Sequence, residues 1–351
     1  MKQPRRAVGP QAWLLVVTTI TALALTACTT SPIRLPARGK AHPVGRILGI
    51  VGGSHTGLLE YAFSSGARRV ITASEPAQSA FFWGTPPLEY AFLVGPAGRL
   101  RLFEVTNGGG FRPVSASLSP EVQPAGLPAG DLMAAASCQG QERLFVLNLR
   151  AVGVPKEVAR GCPAALSPGG EVLAFAPDLS SVWKVPSDGS GHSEPMVRLV
   201  GRRLLLSLGI RSPRILPQAG MSWGRNGLAV AVGGEGRFAC LLVEPSGKVR
   251  VIPLGDARPA ELSWTPTGRL LAFIEHDRTG VAIRVFDAIS HRLNLAALAL
   301  GKGLRGLVWS PNGDALVTLE GTDRWLVVSP DGGRVRSIAV PPGSIPTDWV
   351  A

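Results

Sequence analysis

Apolar segments of four to seven residues recur along the chain, separated by polar turns rich in glycine, proline and asparagine, and no apolar run keeps a helical period for long. The clearest unit begins near Glu261. An inner strand ends at Trp264, a turn crosses Pro266 to Gly268, and Leu270–Ile274 forms a second strand. The polar loop Glu275–Gly280 leads to a third strand at Val281–Asp287, and His291–Leu298 completes a fourth. The next unit repeats this order with Ala315–Leu319, Trp325–Ser329 and Arg334–Val340, the last two joined by Pro330-Asp331-Gly332-Gly333. Asn226-Gly227 and Asn312-Gly313 supply residues that tolerate the positive φ of a tight hairpin.

A short phrase marks the start of each unit. Leu262-Ser263-Trp264-Thr265-Pro266-Thr267-Gly268 returns as Leu307-Val308-Trp309-Ser310-Pro311-Asn312-Gly313, with weaker copies at Met221–Gly227 and Ala165–Gly170. The tryptophans stand 41 residues apart from Trp223 to Trp264, 45 to Trp309 and 40 to Trp349, a spacing that suits a four-stranded propeller blade. Units at 78–115, 116–160, 163–200, 219–256, 260–300 and 305–342 make six blades.

The chain ends make the seventh. Pro346–Ala351 reproduces the inner-strand phrase and stops, while Ile47–Val51, Leu58–Phe63 and Arg68–Thr72 are three strands without an inner one. Joined, they close the ring and hold both termini. The expected fold class is therefore all-β, a seven-bladed propeller over residues 44–351; reading Ser115–Gly130 or Val197–Gln218 differently gives six or eight blades.

The N-terminus has another character. Lys2, Arg5 and Arg6 precede an apolar run from Ala12 to Leu25 that is short for a bilayer span, the layout of an export signal. It ends in Leu25-Thr26-Ala27-Cys28, which resembles the lipobox of bacterial lipoproteins. The resemblance implies cleavage before Cys28, acylation of that residue, and a mature protein held on the cell membrane or outer membrane on its extracytoplasmic side. Residues 1–27 are then the signal peptide, and 28–43, with Arg34, Arg38 and Lys40 among prolines, a basic tether. The net charge of +12 falls to +9 on loss of Lys2, Arg5 and Arg6. A basic surface favours anionic neighbours such as phospholipid headgroups, and nucleic acid is not expected as a partner in that compartment.

The repeats resemble the WD-like propeller repeats of the TolB type, whose turn reads Ser-Pro-Asp-Gly; here Gly169, Thr267 and Asn312 replace the aspartate. The combination of anchor and repeats is also similar to the propeller part of LpqB-type lipoproteins.

Chemistry is sparse. His42, His55, His192, His276 and His291 are scattered with no partner at zinc-site spacing, and no nucleophile elbow or phosphate loop is present, so no catalytic residue, metal or cofactor is expected. Cys138 and Cys162, in successive units, are candidates for a disulfide in an oxidising compartment, and Cys240 reads as a small buried hydrophobe. Arg99, Arg143, Arg237, Arg278 and Arg324 recur at or near the connection between second and third strands, where they would share one rim of the disc and present a basic collar; Glu142, Glu235 and Asp323 beside them offer local salt bridges instead. The long connection Met196–Gln218, with Arg202, Arg203, Arg211 and Arg214 around Leu204–Leu206, is a second candidate surface or a flap over the disc's edge. The tryptophans are expected to pack between blades. From these residues the expected function is a non-enzymatic, membrane-anchored monomer whose propeller binds another envelope protein. The alternative is a propeller lyase or hydrolase, or a small-ligand or glycan sensor, using the axial funnel.

Overall fold

The computed structural model describes residues 43–52, 56–84, 88–94, 99–114, 122–138, 142–150, 155–199, 203–299, 303–333 and 335–351. The export signal, Leu25, Thr26, Ala27 and Cys28 of the lipobox, and all of the tether except Pro43, lie outside the described residues.

Seven antiparallel sheets of four principal strands succeed one another along the chain, as the repeat spacing predicts. Blade 1 uses both termini. Its innermost strand is Ile345–Val350, followed outward by Arg46–Val51, Gly57–Ala62 and Arg68–Thr72. Blades 2 to 7 occupy 77–113, 122–159, 164–198, 221–255, 258–299 and 304–339 in chain order, close to the units read from the sequence.

The repeated turn phrase has a physical basis. Ser167, Thr265 and Ser310 each start the turn after an innermost strand, and their hydroxyl oxygens accept the main-chain N–H of Val172, Leu270 and Ala315 at 3.0 Å. Their carbonyls accept the N–H of Gly170, Gly268 and Gly313, which have φ of 82°, 72° and 72°. A hydroxyl first and a glycine fourth are what this turn requires.

Between blades the sheets bury apolar side chains on both faces, so each interface forms its own core. Ile47, Leu59, Val317, Trp325 and Trp349 pack between blades 7 and 1, and Ala272, Ile283, Leu316 and Val328 between blades 6 and 7. The closing strand is fixed from several sides. Trp349 stacks on Phe63 at 5.0 Å between ring centroids and donates its indole N–H to the Val44 carbonyl at 2.8 Å. Blades 1 and 2 are further tied by four alternating charges: Arg46 meets Glu60 at 2.8 Å, and Arg69 meets Glu89 at 2.6 Å and Glu60 at 3.3 Å. Burial and the neighbouring Glu60 push the Glu89 carboxyl above its usual range, against the pull of Arg69 and Arg46.

The connection Met196–Gln218 is sewn into the disc. Met196–Arg198 belongs to the outer strand of blade 4; beyond it a short helix, Arg203–Ser207, buries Leu205. Arg214–Ile215 then pairs with Gly233 and Val232 in the second strand of blade 5.

Candidate functional site

Strand direction alternates within a blade. Connections from second to third strand therefore lie on the same face as those from the outer strand to the next innermost one, here called the upper face. Arg99, Arg143, Arg237, Arg278 and Arg324 all stand at second-to-third connections, Arg143 half-buried and the other four exposed. Their partners differ from the adjacent acids suggested by sequence. Arg143 donates to Glu157 on the neighbouring outer strand, its Nε at 2.8 Å, and covers the Phe145 ring, while Arg324 approaches Glu320 at 3.9 Å. Glu235 instead meets Arg211, at 4.0 Å. Arg99, Arg237 and Arg278 make no ion pair among the described residues.

The same face carries the disulfide between Cys138, after the second strand of blade 3, and Cys162, before the innermost strand of blade 4, with Cα atoms 5.4 Å apart. Cys240 is fully buried in Arg237–Val243, the third strand of blade 5, and burial pushes its thiol up to about 12. The helix Arg203–Ser207 overhangs an open cleft of about 630 Å³ on this face, lined by Leu179, Leu206, Pro213 and Arg214 among others.

Nearer the axis the structure assembles a group that the sequence reading missed. The innermost strands of blades 6 and 7, Arg258–Trp264 and Leu304–Trp309, start on the upper face with Arg258 and Arg305 exposed. Arg258 donates to the Gln218 side chain, and neither arginine has an ion pair among the described residues. Three residues after Arg258 stands Glu261, half-buried, its carboxyl accepting the Gly306 N–H and facing Arg305. Burial outweighs both and raises the pKa of this acid. Its backbone is in the left-handed region, φ 49°, at a bulge between Ala260 and Leu262. Gly220 and Gly306, at φ 70° and 68°, hold the same place three residues before Trp223 and Trp309. A glutamate where two neighbouring blades use glycine carries a backbone cost of about 1–3 kcal/mol. That recurring offset was the signal available in the sequence.

A second axial carboxylate plays a structural part. Asp348 in the closing strand accepts the N–H of Phe82, in the innermost strand of blade 2, at 2.7 Å, and that of Trp349 at 2.7 Å. It thereby satisfies a donor on the otherwise unpaired inner edge of blade 2. Burial pushes it up to about 6, against those two donors. In the upper connection from blade 1 to blade 2, Oε2 of Glu75 is buried without a hydrogen-bond partner. Among the described residues no three His, Cys, Asp or Glu side chains gather where they could hold a metal ion.

No protein-family model matches this chain, and no curated protein matches it in sequence. Solved structures match its fold. TolB from Acinetobacter baumannii is 14% identical over 88% of this chain and 83% of its own, with a TM-score of 0.50. The periplasmic gluconolactonase of Pseudomonas aeruginosa is 16% identical over 87% of this chain and 98% of its own, with a TM-score of 0.55. An oligogalacturonate lyase solved with manganese is 10% identical over 78% of this chain and 82% of its own, with a TM-score of 0.57. At such identities the shared property is the propeller itself. The expectation of a non-enzyme is nonetheless overturned. Single propellers of this size and shape include enzymes, so scattered histidines and the lack of a familiar motif do not argue against catalysis.

Proposed function

We propose that this protein is an exported, lipid-anchored propeller enzyme that takes an anionic, sugar-derived small molecule at the upper mouth of its axis. The observation that carries the reading is Glu261, a carboxylic acid of raised pKa held in a left-handed backbone beside Arg305, three residues after Arg258. A carboxyl whose pKa is raised by burial is better suited than an ordinary one to protonate a leaving oxygen, as ring-opening of a lactone or cleavage of a glycosidic bond requires. Arg305 beside it and Arg258 at the start of the same strand as Glu261 form no salt bridge among the described residues and are suited to hold a carboxylate or phosphate at that mouth. The size-matched gluconolactonase and oligogalacturonate lyase support a sugar-acid ligand, and the TolB likeness together with the Cys28 lipobox supports an envelope location. The gathered residues do not reproduce a manganese site, so the lyase is a guide to ligand class alone.

The test is turnover of a panel of sugar lactones and oligouronates by the wild type and by Glu261→Gln. Glutamine keeps the shape and the acceptor for Gly306 but has no acidic proton. Retained binding with turnover reduced by two or more orders of magnitude is expected. A Glu261→Gln variant as active as the wild type would overturn the assignment.

A further inference from the structure

The lower face of the disc, where innermost strands connect to second strands and third strands to outer ones, carries four exposed cations on neighbouring connections of blades 5 and 6: Arg225, Lys248, Arg269 and Arg292. These connections touch one another. Asn226 donates its side-chain N–H to the Gly268 carbonyl at 2.9 Å, and the main chain of Arg225 packs against Gly268. Asn226, Ser246 and Ile289 line one cleft of about 370 Å³ between the two blades. Ile289, three residues before Arg292, is 68% exposed, more than any other large hydrophobic side chain among the described residues.

Acids do not cancel the patch. Asp287 is buried and holds Arg269 at 2.8 Å, and Glu244 is half-buried and holds Arg250 at 3.0 Å. Arg225, Lys248 and Arg292 form no salt bridge among the described residues. Glu171, Asp188 and Glu194 stand at the lower connections of blade 4, and Asp314 and Asp331 at those of blade 7, so the cations form a bounded patch and not a uniformly basic face.

The path of the chain selects what the patch meets. Val44 and Gly45 lead into the second strand of blade 1 from the same lower face, and that entry is pinned. The Val44 carbonyl accepts the Trp349 indole N–H at 2.8 Å, and the Gly45 carbonyl accepts the Phe63 N–H at 3.0 Å. Residues 28–43, read as the tether of a lipid anchor, therefore join the disc on the side that carries the patch. The upper face offers a rival in Leu204 and Leu206, each 52% exposed, but the tether joins the other side.

We propose that Ile289 inserts into an anionic lipid surface with Arg225, Lys248, Arg269 and Arg292 on its headgroups, so that the disc rests on the bilayer by its lower face and the mouth at Glu261 opens away from it. Cations around an exposed apolar side chain suit the boundary between headgroups and acyl chains. The contact rests on the envelope location read from the Cys28 lipobox. Each cation close to an anionic surface strengthens attachment about fivefold.

The experiment uses the full lipidated chain reconstituted into vesicles of phosphatidylcholine mixed with phosphatidylglycerol, and of phosphatidylcholine alone. Ile289→Cys carries an environment-sensitive fluorophore. Spin-labelled lipid should quench it in the mixed vesicles and much less in phosphatidylcholine alone, and should leave the same fluorophore at Leu206→Cys on the upper face unquenched. Arg225→Glu/Lys248→Glu/Arg292→Glu in the Ile289→Cys background should lower docking about a hundredfold, which removes the quenching, while the anchor still floats the protein with the vesicles. An unquenched label at Ile289→Cys, whether the patch stays bare or a protein covers it, overturns the proposal. Equal quenching at Leu206→Cys, in phosphatidylcholine alone or after the three glutamate changes does the same. Should the glutamate variant fail to fold, the two lipid compositions decide by themselves. A chain that does not float with the vesicles refutes the lipobox reading instead, and the same label on that chain, mixed with the anionic vesicles, then decides the contact.

Discussion

Trp309 donates its indole N–H to the main-chain carbonyl of Ser263 at 3.0 Å, and one blade back Trp264 makes the same bond to Ser222 at 3.1 Å. Ser263 and Ser222 each immediately precede the tryptophan of their own blade. These two tryptophans therefore latch the innermost strands of blades 5, 6 and 7 in succession, whereas Trp349, at the same place in the repeat, donates to Val44 within its own blade. Trp309→Phe keeps the buried ring but strands the Ser263 carbonyl. It should cost about 1–3 kcal/mol, and Trp309→Ala about 3–5 kcal/mol, in urea unfolding. Equal losses for the two variants would show that the latch itself contributes nothing.

Asp348 makes stability depend on pH in a defined window. Its folded pKa of about 6 lies above the ordinary carboxylate value, so the folded chain holds this proton more tightly than the unfolded one. The contribution is fully present below about pH 3, falls as pH rises through the window between the unfolded and folded values, and is gone by about pH 7; two pKa units correspond to about 3 kcal/mol. Asp348→Asn cannot titrate and offers one acceptor oxygen to two N–H donors. It should be less stable than the wild type, by a margin that is larger at pH 4 than at pH 7. A constant margin across that range would refute the assignment.

What could be read in advance was whatever recurs or lies close in sequence. The phrase around Trp264 and Trp309 located the blades, and the orphan phrase at Pro346–Trp349 located the closing strand, because a missing copy in a periodic pattern is itself visible. Ion pairs were less legible. Glu142 is next to Arg143, yet the guanidinium reaches Glu157 across the strand pair, since neighbours along a strand point to opposite faces. The alternation of Arg46, Glu60, Arg69 and Glu89 depends on two blades meeting and leaves no local trace. Glu261 was concealed by the opposite habit: attention to the tryptophan hid the glycine three residues before it, and with it the one blade among three that breaks the rule.

The closing strand should be indispensable. Deleting residues 346–351 removes the inner edge of blade 1, uncovers Ile47 and Trp325, and takes Asp348 from Phe82. Loss of cooperative unfolding, or a fall of many degrees in melting temperature, is expected by calorimetry. A frayed tail would show no change.

The disulfide links residues 24 apart across the boundary between blades 3 and 4. Closing a loop of that length removes about 3 kcal/mol of unfolded-state freedom. Cys138→Ser/Cys162→Ser should lose roughly that amount in denaturant unfolding, and dithiothreitol should destabilise the wild type and leave the variant unmoved.

The arginines divide into two sets with opposite expected behaviour. Arg143 and Arg324 have acid partners at Glu157 and Glu320 and are partly exposed, so replacing both with glutamine should cost at most about 1 kcal/mol per pair and leave ligand affinity unchanged. Arg258 and Arg305 form no salt bridge among the described residues and start the innermost strands on either side of the mouth where Glu261 stands, so their replacement should leave stability nearly unaltered and weaken an anionic ligand. Salt separates the two further, since attraction between exposed charges is screened over about 8–10 Å at physiological ionic strength. Wild-type affinity for a sugar acid, measured by calorimetry at low and high salt, should fall as salt rises, and Arg258→Gln/Arg305→Gln should bind more weakly with a flatter dependence. Adding Arg237→Gln and Arg278→Gln, farther out on the same face, should lower the association rate with little effect on dissociation, as expected for charges that steer a ligand without touching it. If the Arg143/Arg324 pair proves as damaging to affinity as the Arg258/Arg305 pair, the ligand sits on the rim and Glu261 is not its proton donor.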